Sequence, residues 1–509
     1  MRPSNRTIEE TGTLQTAGKA GRLIIKEPLP HPLTWGVGFN WFDHLGSGGC
    51  FARSLSYPLH EEVIPDPLDK QAWAAVEEVF ENLRPGLIRF GLPPDPHVDA
   101  QGRLITDTVH LRRLRWLGDW AMRNGCTIIV DPFTTPRYYE FPPPPGVGET
   151  IPDFCNMAAA DNHAYARRFA APLMKLLLDD WGLKSIRWFC PINEPLSYGV
   201  YQTPADGPEP YAHYVGLYRE LRQGFDAIGL GRDRLGLLAG AELHSTGLGM
   251  KSLNMQLLGR GLDITPWIDS IGCHYYNLRF DHMSAQEGAS TTAMRDVIEV
   301  QTAQFVEYGH LRGLGSIASE IGTFYYGWRT NDPAGAASCD ACLTVAEGVI
   351  RGMNAGLEGF ALWCLFNPNN IDGWWRVAGV ENGRMVRTMH PWHIYGLLSR
   401  HARPGSRVRP LDRVRPDDVL FPGISHIHGT CLTAPDGHHT ILLANDHHVL
   451  APPITLSLPM APDGATWRRI VTDRVRLMSN EPVPEANAEG DVMIRPSPMS
   501  LTVLTTRTN

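Results

Sequence analysis

The chain has 509 residues, 43% hydrophobic and 20% charged, a composition that suits a folded globular protein and excludes wholesale disorder. Its 46 basic and 54 acidic residues give a formal charge of −8, which implies no basic surface for nucleic acid or anionic lipid. No apolar run approaches the ~20 residues that span a bilayer, and the first 22 residues contain no apolar core of the kind a secretory signal carries, so a cytoplasmic location is the expectation.

From about residue 35 to residue 400, short β runs alternate with amphipathic helical runs. The β runs fall at 35–41, 86–91, 126–131, 185–193, 234–241, 268–276, 314–320 and 359–366. They are continuously apolar rather than strictly alternating, as parallel strands covered by helices are. The helical runs between them include 69–83, 107–124, 161–181, 211–229, 292–311 and 338–355. Eight strands with intervening helices predict an α/β chain folded as a (β/α)8 barrel over 30–402. A doubly wound sheet is the alternative, but no glycine-rich phosphate fingerprint follows the first strand.

Beyond residue 402 the pattern changes. The stretch 402–410 reads as a linker, followed by short β runs at 418–430, 439–445, 453–458, 466–473 and 500–505 separated by Pro, Gly and Asp turns. They predict an antiparallel β-sandwich over 403–509, with 22–26 as a further strand. Its histidines (His426, His428, His438, His439, His447, His448) lack ligand spacing with a carboxylate and read as a polar sandwich surface.

The nine cysteines are scattered, and Cys126, Cys190, Cys273 and Cys364 sit inside apolar runs, where a thiol behaves as a small buried hydrophobe. Cys339 and Cys342 have CxxC spacing on one face of the predicted helix 338–355. With no second pair and no nearby histidine, they read as core or surface thiols.

Catalytic groups of a (β/α)8 barrel project from the C-terminal ends of its strands into one cleft. The polar residues at those ends are Asn40 on the first strand, Arg89 on the second, Asp131 on the third and Asn193-Glu194-Pro195 on the fourth. The fifth ends at Glu242, the sixth in His274-Tyr275-Tyr276-Asn277 and the seventh at Glu320, while the eighth carries Trp363. Glu194 and Glu320 are 126 positions apart, three βα units, which places them across the barrel mouth. Opposed carboxylates are what glycosidic cleavage needs, one protonated to assist the leaving oxygen and one ionised to meet the anomeric carbon. Arg89 can keep one carboxylate ionised, Tyr276 can hydrogen-bond it, Asn193 can hold a sugar hydroxyl, and Trp363 offers an apolar face to a pyranose ring.

Asn193-Glu194-Pro195 and Ser319-Glu320-Ile321-Gly322 make residues 35–400 resemble the clan A glycoside hydrolases, retaining (β/α)8 enzymes. The appended sandwich resembles families 30, 39 and 51 of that clan; the strand motifs look closer to family 5, although Asp131-Pro132-Phe133 stands where many family 5 enzymes have a histidine. The resemblance implies Glu194 as acid/base and Glu320 as nucleophile, supported by Arg89, Asn193, His274 and Tyr276, with Trp363 toward the substrate. Asn40 faces the mouth as a candidate substrate contact, Asp131 and Glu242 are rival carboxylates there that serve as substrate contacts or structural partners, and Trp374 and Trp375 in a polar loop are candidate sugar platforms. No metal or organic cofactor is expected, and the expected partner is an oligo- or polysaccharide or glycoside. Two rival readings use the same residues: a metal-dependent (β/α)8 isomerase or hydrolase on Glu194, Glu242, His274 and Glu320, and a carbohydrate-binding protein with a retired site.

Overall fold

The computed structural model describes residues 21–42, 64–133, 135–141, 158–195, 203–240 save 205, 253–275, 291–322, 337–366, 376–414 save 382, 427–445 and 451–508 save 452. Eight parallel strands close into a barrel in chain order: β2 (Gly36–Phe42), β3 (Leu87–Gly91), β4 (Thr127–Asp131), β5 (Ile186–Phe189), β6 (Gly236–Ala239), β7 (Ser270–Tyr275), β8 (Gly315–Ile321) and β9 (Gly359–Leu362). Each overlaps one of the eight expected runs. The preceding strand, β1 (Gly21–Ile25), belongs to another sheet.

The barrel interior is packed. Leu87, Ile129, Trp188, Leu238, Ile317 and Ala361, one each from β3, β4, β5, β6, β8 and β9, form an apolar cluster inside it. The fit is close enough that a Cβ on Gly236 would lie 2.4 Å from the Trp188 ring, so bare backbone here is a condition of closing the barrel.

The outer helices are α1 (Lys70–Leu83), α2 (Val109–Asn124), α3 (Asn162–Tyr165), α4 (Ala171–Lys175), α5 (Pro210–Ala227), α6 (Leu253–Gly259), α7 (Thr291–His310), α8 (Cys339–Asn354) and α9 (Met389–His401). Their starts follow local chemistry. Asp69 accepts from the Ala72 N–H, Thr108 from Leu111 and Ser338 from Ala341, each a side-chain oxygen answering an N–H with no intrahelical partner. α2 stops at Gly125, whose φ of +66° a residue with a Cβ adopts only under strain. The expected helix 161–181 forms as α3 and α4 joined by two π-helical turns, Ala166–Ala170 and Leu176–Asp180. Cys339 and Cys342 are buried on α8, as core thiols are.

A hairpin of β10 (Ala378–Glu381) and β11 (Arg384–Arg387) precedes α9. The C-terminal strands are β12 (Arg407–Val414), β13 (Ile427–Thr433), β14 (His439–Asn445), β15 (Ile454–Ser457), β16 (Arg468–Asp473), β17 (Ser479–Glu481), β18 (Asp491–Ile494) and β19 (Ser500–Thr505). With β1 they make one nine-stranded curled sheet, ordered β17-β16-β19-β14-β13-β12-β1-β15-β18 and antiparallel except where β1 meets β15. Its central strands β13, β14 and β19 are buried on both faces. Ile441 and Leu443 of β14 join the sheet's own core, whereas Leu442 and Ala444 join the barrel's core, and α8 packs on β13 and β14.

Two expectations here need correction. The stretch read as a linker contains the start of β12: Pro410 has no N–H to give, but its carbonyl accepts from Lys26 at 2.9 Å, so the strand continues through it. His428, expected on a polar surface, is buried, with Nε2 at 3.1 Å from Glu347 and 3.3 Å from Arg351 of α8. Among the described residues no helix is long and apolar enough to cross a membrane.

Candidate active site

Arg89, on β3, organises the centre of the barrel mouth. Its side chain is 1% exposed and meets four others. Nε donates to Asp131 at 2.8 Å, Nη1 to Asn40 Oδ1 at 3.1 Å and to Glu320 Oε1 at 2.5 Å, and Nη2 to Asn193 Oδ1. Burial works against the guanidinium's charge, but the Asp131 and Glu320 carboxylates more than offset it, and its pKa is raised above the ordinary arginine value. A planar fork of five N–H donors serves four acceptors where a lysine ammonium does not.

Asn40 and Asp131 lie beneath the mouth rather than on its wall. Both are fully buried. Asn40 Nδ2 donates to the carbonyls of Ser319 (3.0 Å) and Ala361 (2.8 Å) while Oδ1 accepts from Arg89, so its polar atoms are occupied by the scaffold. Asp131 accepts from Arg89 and, at 2.6 Å, from the Phe133 N–H. Through these bonds both residues hold the Arg89 guanidinium in place.

Glu194 follows β5, in a segment that leaves the sheet at Phe189. The Cys190 N–H still bonds the Val130 carbonyl, and the Asn193 N–H bonds the carbonyl of Phe133. Phe133 at φ +68° and Glu194 at φ +42° are both in the left-handed region, a conformation costing ~1–3 kcal/mol per residue that persists where surrounding structure enforces it.

Glu320 meets its neighbours through a register shift. β7 and β8 pair in step from Ser270↔Gly315 to Cys273↔Ala318 and then skip a residue, so that His274 pairs with Glu320. A bulge of this kind re-aims side chains. His274, fully buried, has Nδ1 at 2.7 Å from Glu194 Oε1 and 3.5 Å from Glu320 Oε2. One oxygen of each glutamate and one His274 ring nitrogen lie within 4.8 Å of one another. Trp363, joined to Cys364 by a cis peptide bond, is largely buried, and its N–H bonds the Ile321 carbonyl.

The structure thus brings together Asn40, Arg89, Asp131, Asn193, Glu194, His274 and Glu320. Tyr276, Glu242, Trp374 and Trp375 lie outside the described residues. Chemically, the arrangement offers one carboxylate held by a cation, a second bonded to an imidazole, and little space between them.

No family model matches the chain. No curated protein matches it in sequence either. Among solved structures it is similar to the catalytic domain of a family 30 xylanase C from Talaromyces cellulolyticus, at 14% identity over 96% of this chain and 100% of that one, with a TM-score of 0.58. An endo-β1,6-glucanase matches at 14% identity over 97% and 94%, with a TM-score of 0.58. A family 51 α-L-arabinofuranosidase from Bifidobacterium longum matches at 13% identity over 95% and 98%, with a TM-score of 0.57. At these identities the likeness is one of fold, and it extends over the whole architecture: a closed eight-stranded parallel barrel with an appended β domain.

Proposed function

We propose that this protein is a retaining O-glycoside hydrolase that cleaves a β-linked glycoside, oligosaccharide or polysaccharide by double displacement. The observation that carries the reading is the approach of Glu194 and Glu320 to within 4.8 Å, oxygen to oxygen. Retaining enzymes hold their two carboxyl groups ~5–5.5 Å apart, whereas inverting enzymes need ~6.5–9.5 Å to admit a water between them. The similarity in fold to family 30 and family 51 structures supports the same reaction class.

Arg89 divides the roles. A guanidinium at 2.5 Å favours the ionised form of Glu320, the state a nucleophile needs. Glu320 attacks the anomeric carbon as the glycosidic bond breaks, and Glu194 gives its proton to the departing oxygen. Glu194 then takes a proton from water, which opens the glycosyl ester and releases the sugar with its configuration retained. Asn193, tied to Arg89, stands next to Glu194 at the same point of the mouth.

Azide tests the assignment on aryl β-glycosides. Glu194→Ala is expected to give a glycosyl azide of retained configuration, because azide intercepts the covalent intermediate. Glu320→Gly is expected to give the inverted azide, because azide enters the vacated space. The same product from both variants overturns the roles.

The cluster of Glu194, His274 and Glu320 also has the geometry of three metal ligands, which favours a metal-dependent reaction as the second reading. Chelator treatment separates the two. Activity that persists after chelation supports double displacement, and activity lost to chelator and restored by a divalent ion supports the metal.

A further inference from the structure

We infer that His31, His310 and Glu358 form a binding site for a zinc-class divalent cation at the N-terminal face of the barrel, opposite the mouth. His31 lies in the segment between β1 and β2, His310 is the last residue of α7, and Glu358 immediately precedes β9. Glu194 and Glu320 stand at the other ends of the strands. The site is therefore separate from the one described above.

Three observations converge. One donor atom from each of the three residues lies within 4.8 Å of the other two. The imidazoles of His31 and His310 lie against each other, ring centroids 3.7 Å apart and planes tilted by 38°. His310 Nε2 is buried and makes no hydrogen bond among the described residues; it stands 3.5 Å from Glu358 Oε1, beyond a good N–H···O distance. A tetrahedral ion with bonds of ~2.0–2.2 Å sets its donors about 3.4 Å apart. The His310–Glu358 separation already has that value, so an ion rather than a proton fits the gap. Two imidazoles and a carboxylate are a donor set zinc takes.

The surroundings agree. His31 and His310 open onto a pocket of about 330 Å³ lined also by Leu29, Pro30 and Val306. Glu307, one turn before His310 on the same helix, lines it too.

The ion has a structural role. The 29–35 segment bonds outward to β12 through Leu29 to Val408 and Leu33 to Ser406, and inward through the Trp35 N–H to the Glu358 carbonyl. A cation held by His31, His310 and Glu358 clamps this connection to the barrel floor, and its binding energy adds to folding stability.

The test uses the full chain stripped of metal and titrated with zinc sulfate in competition with a chromophoric chelator. One zinc per chain is expected, with Tm raised by a few degrees at saturating metal. Cobalt(II) in place of zinc should show the ligand-field bands of a tetrahedral site. His31→Gln and His310→Gln should each weaken zinc binding at least about 10-fold, whereas Glu320→Gln should leave it unchanged. His31 is exposed, so its variant carries the test if His310→Gln does not fold. A wild-type chain that binds no zinc overturns the site. So does binding that survives both histidine changes, or that is lost in Glu320→Gln alone.

Discussion

Arg89 Nη1 donates to Glu320 Oε1 at 2.5 Å, across the barrel from β3 to β8, with both side chains almost completely buried. The same guanidinium holds Asp131, so one cation serves two carboxylates. Removing it leaves two buried charges without their partner, a change that costs ~3–5 kcal/mol. Arg89→Met is therefore expected to lower both stability and kcat. Arg89→Lys should rescue little of either, because an ammonium does not reproduce the four-way contact. Urea denaturation and turnover of an activated aryl glycoside measure the two effects. Wild-type kcat in Arg89→Met removes Arg89 from the mechanism.

His274 Nδ1 at 2.7 Å from Glu194 links the imidazole to the proposed proton donor. His274→Phe should slow substrates with poor leaving groups more than dinitrophenyl glycosides, whose departure needs no proton. The check is the slope of log kcat/KM against leaving-group pKa, which should steepen in the variant. An equal loss for every leaving group assigns His274 to Glu320 instead.

Stability should fall on the acid side. Burial, reinforced by nearby His110, pushes His97 down to about 3 from its ordinary 6.5. Burial, reinforced by Arg400, Arg507 and Arg403, pushes His401 down to about 3 as well. Between pH 6.5 and about 3 the unfolded chain binds protons that the folded chain refuses. The contribution is thus complete above pH 6.5 and is lost progressively as pH falls toward 3. Thermal unfolding across this window should show Tm dropping with pH. The drop should be shallower in His97→Gln and His401→Gln, and an unchanged slope in both contradicts the account.

Phe80, on the inner face of α1, is surrounded by rings: Trp120 at 5.0 Å, Trp116 at 5.4 Å and Trp41 at 5.6 Å between centroids. Its truncation leaves a cavity that stiff aromatic neighbours cannot close. Phe80→Ala should cost ~3–5 kcal/mol, read as a lower Tm. Because Phe80 touches none of the groups around Arg89, KM of the folded variant should be unchanged.

The barrel was readable because its strands and helices are local events with strong patterns. Continuous apolar runs such as 126–131 and caps such as Thr108 carry their own structural instructions. Elements held by remote partners carried weaker marks. β12 was hidden by Pro410, and α9, from Met389 to His401, was passed over with the hairpin before it. The expected entry of 22–26 into the C-terminal sheet is matched by β1, which pairs with β12 and β15.

Residue types and strand order by themselves determined that Glu194 and Glu320 belong to one barrel mouth, since strand alternation decides which chain segments end there. Only the tertiary structure decided what surrounds them. Strand-end position says that Asn40 and Asp131 reach the mouth, but not that Arg89 and the backbone engage their polar atoms there. The pairing of His274 with Glu320 depends on a skipped residue between β7 and β8, and no pattern within either strand encodes a register between two of them. The contact of His31 with His310 joins residues almost three hundred positions apart, in segments whose local sequence serves a loop and a helix end. Such contacts depend on how the finished sheets and helices pack, and that is settled by the whole chain at once.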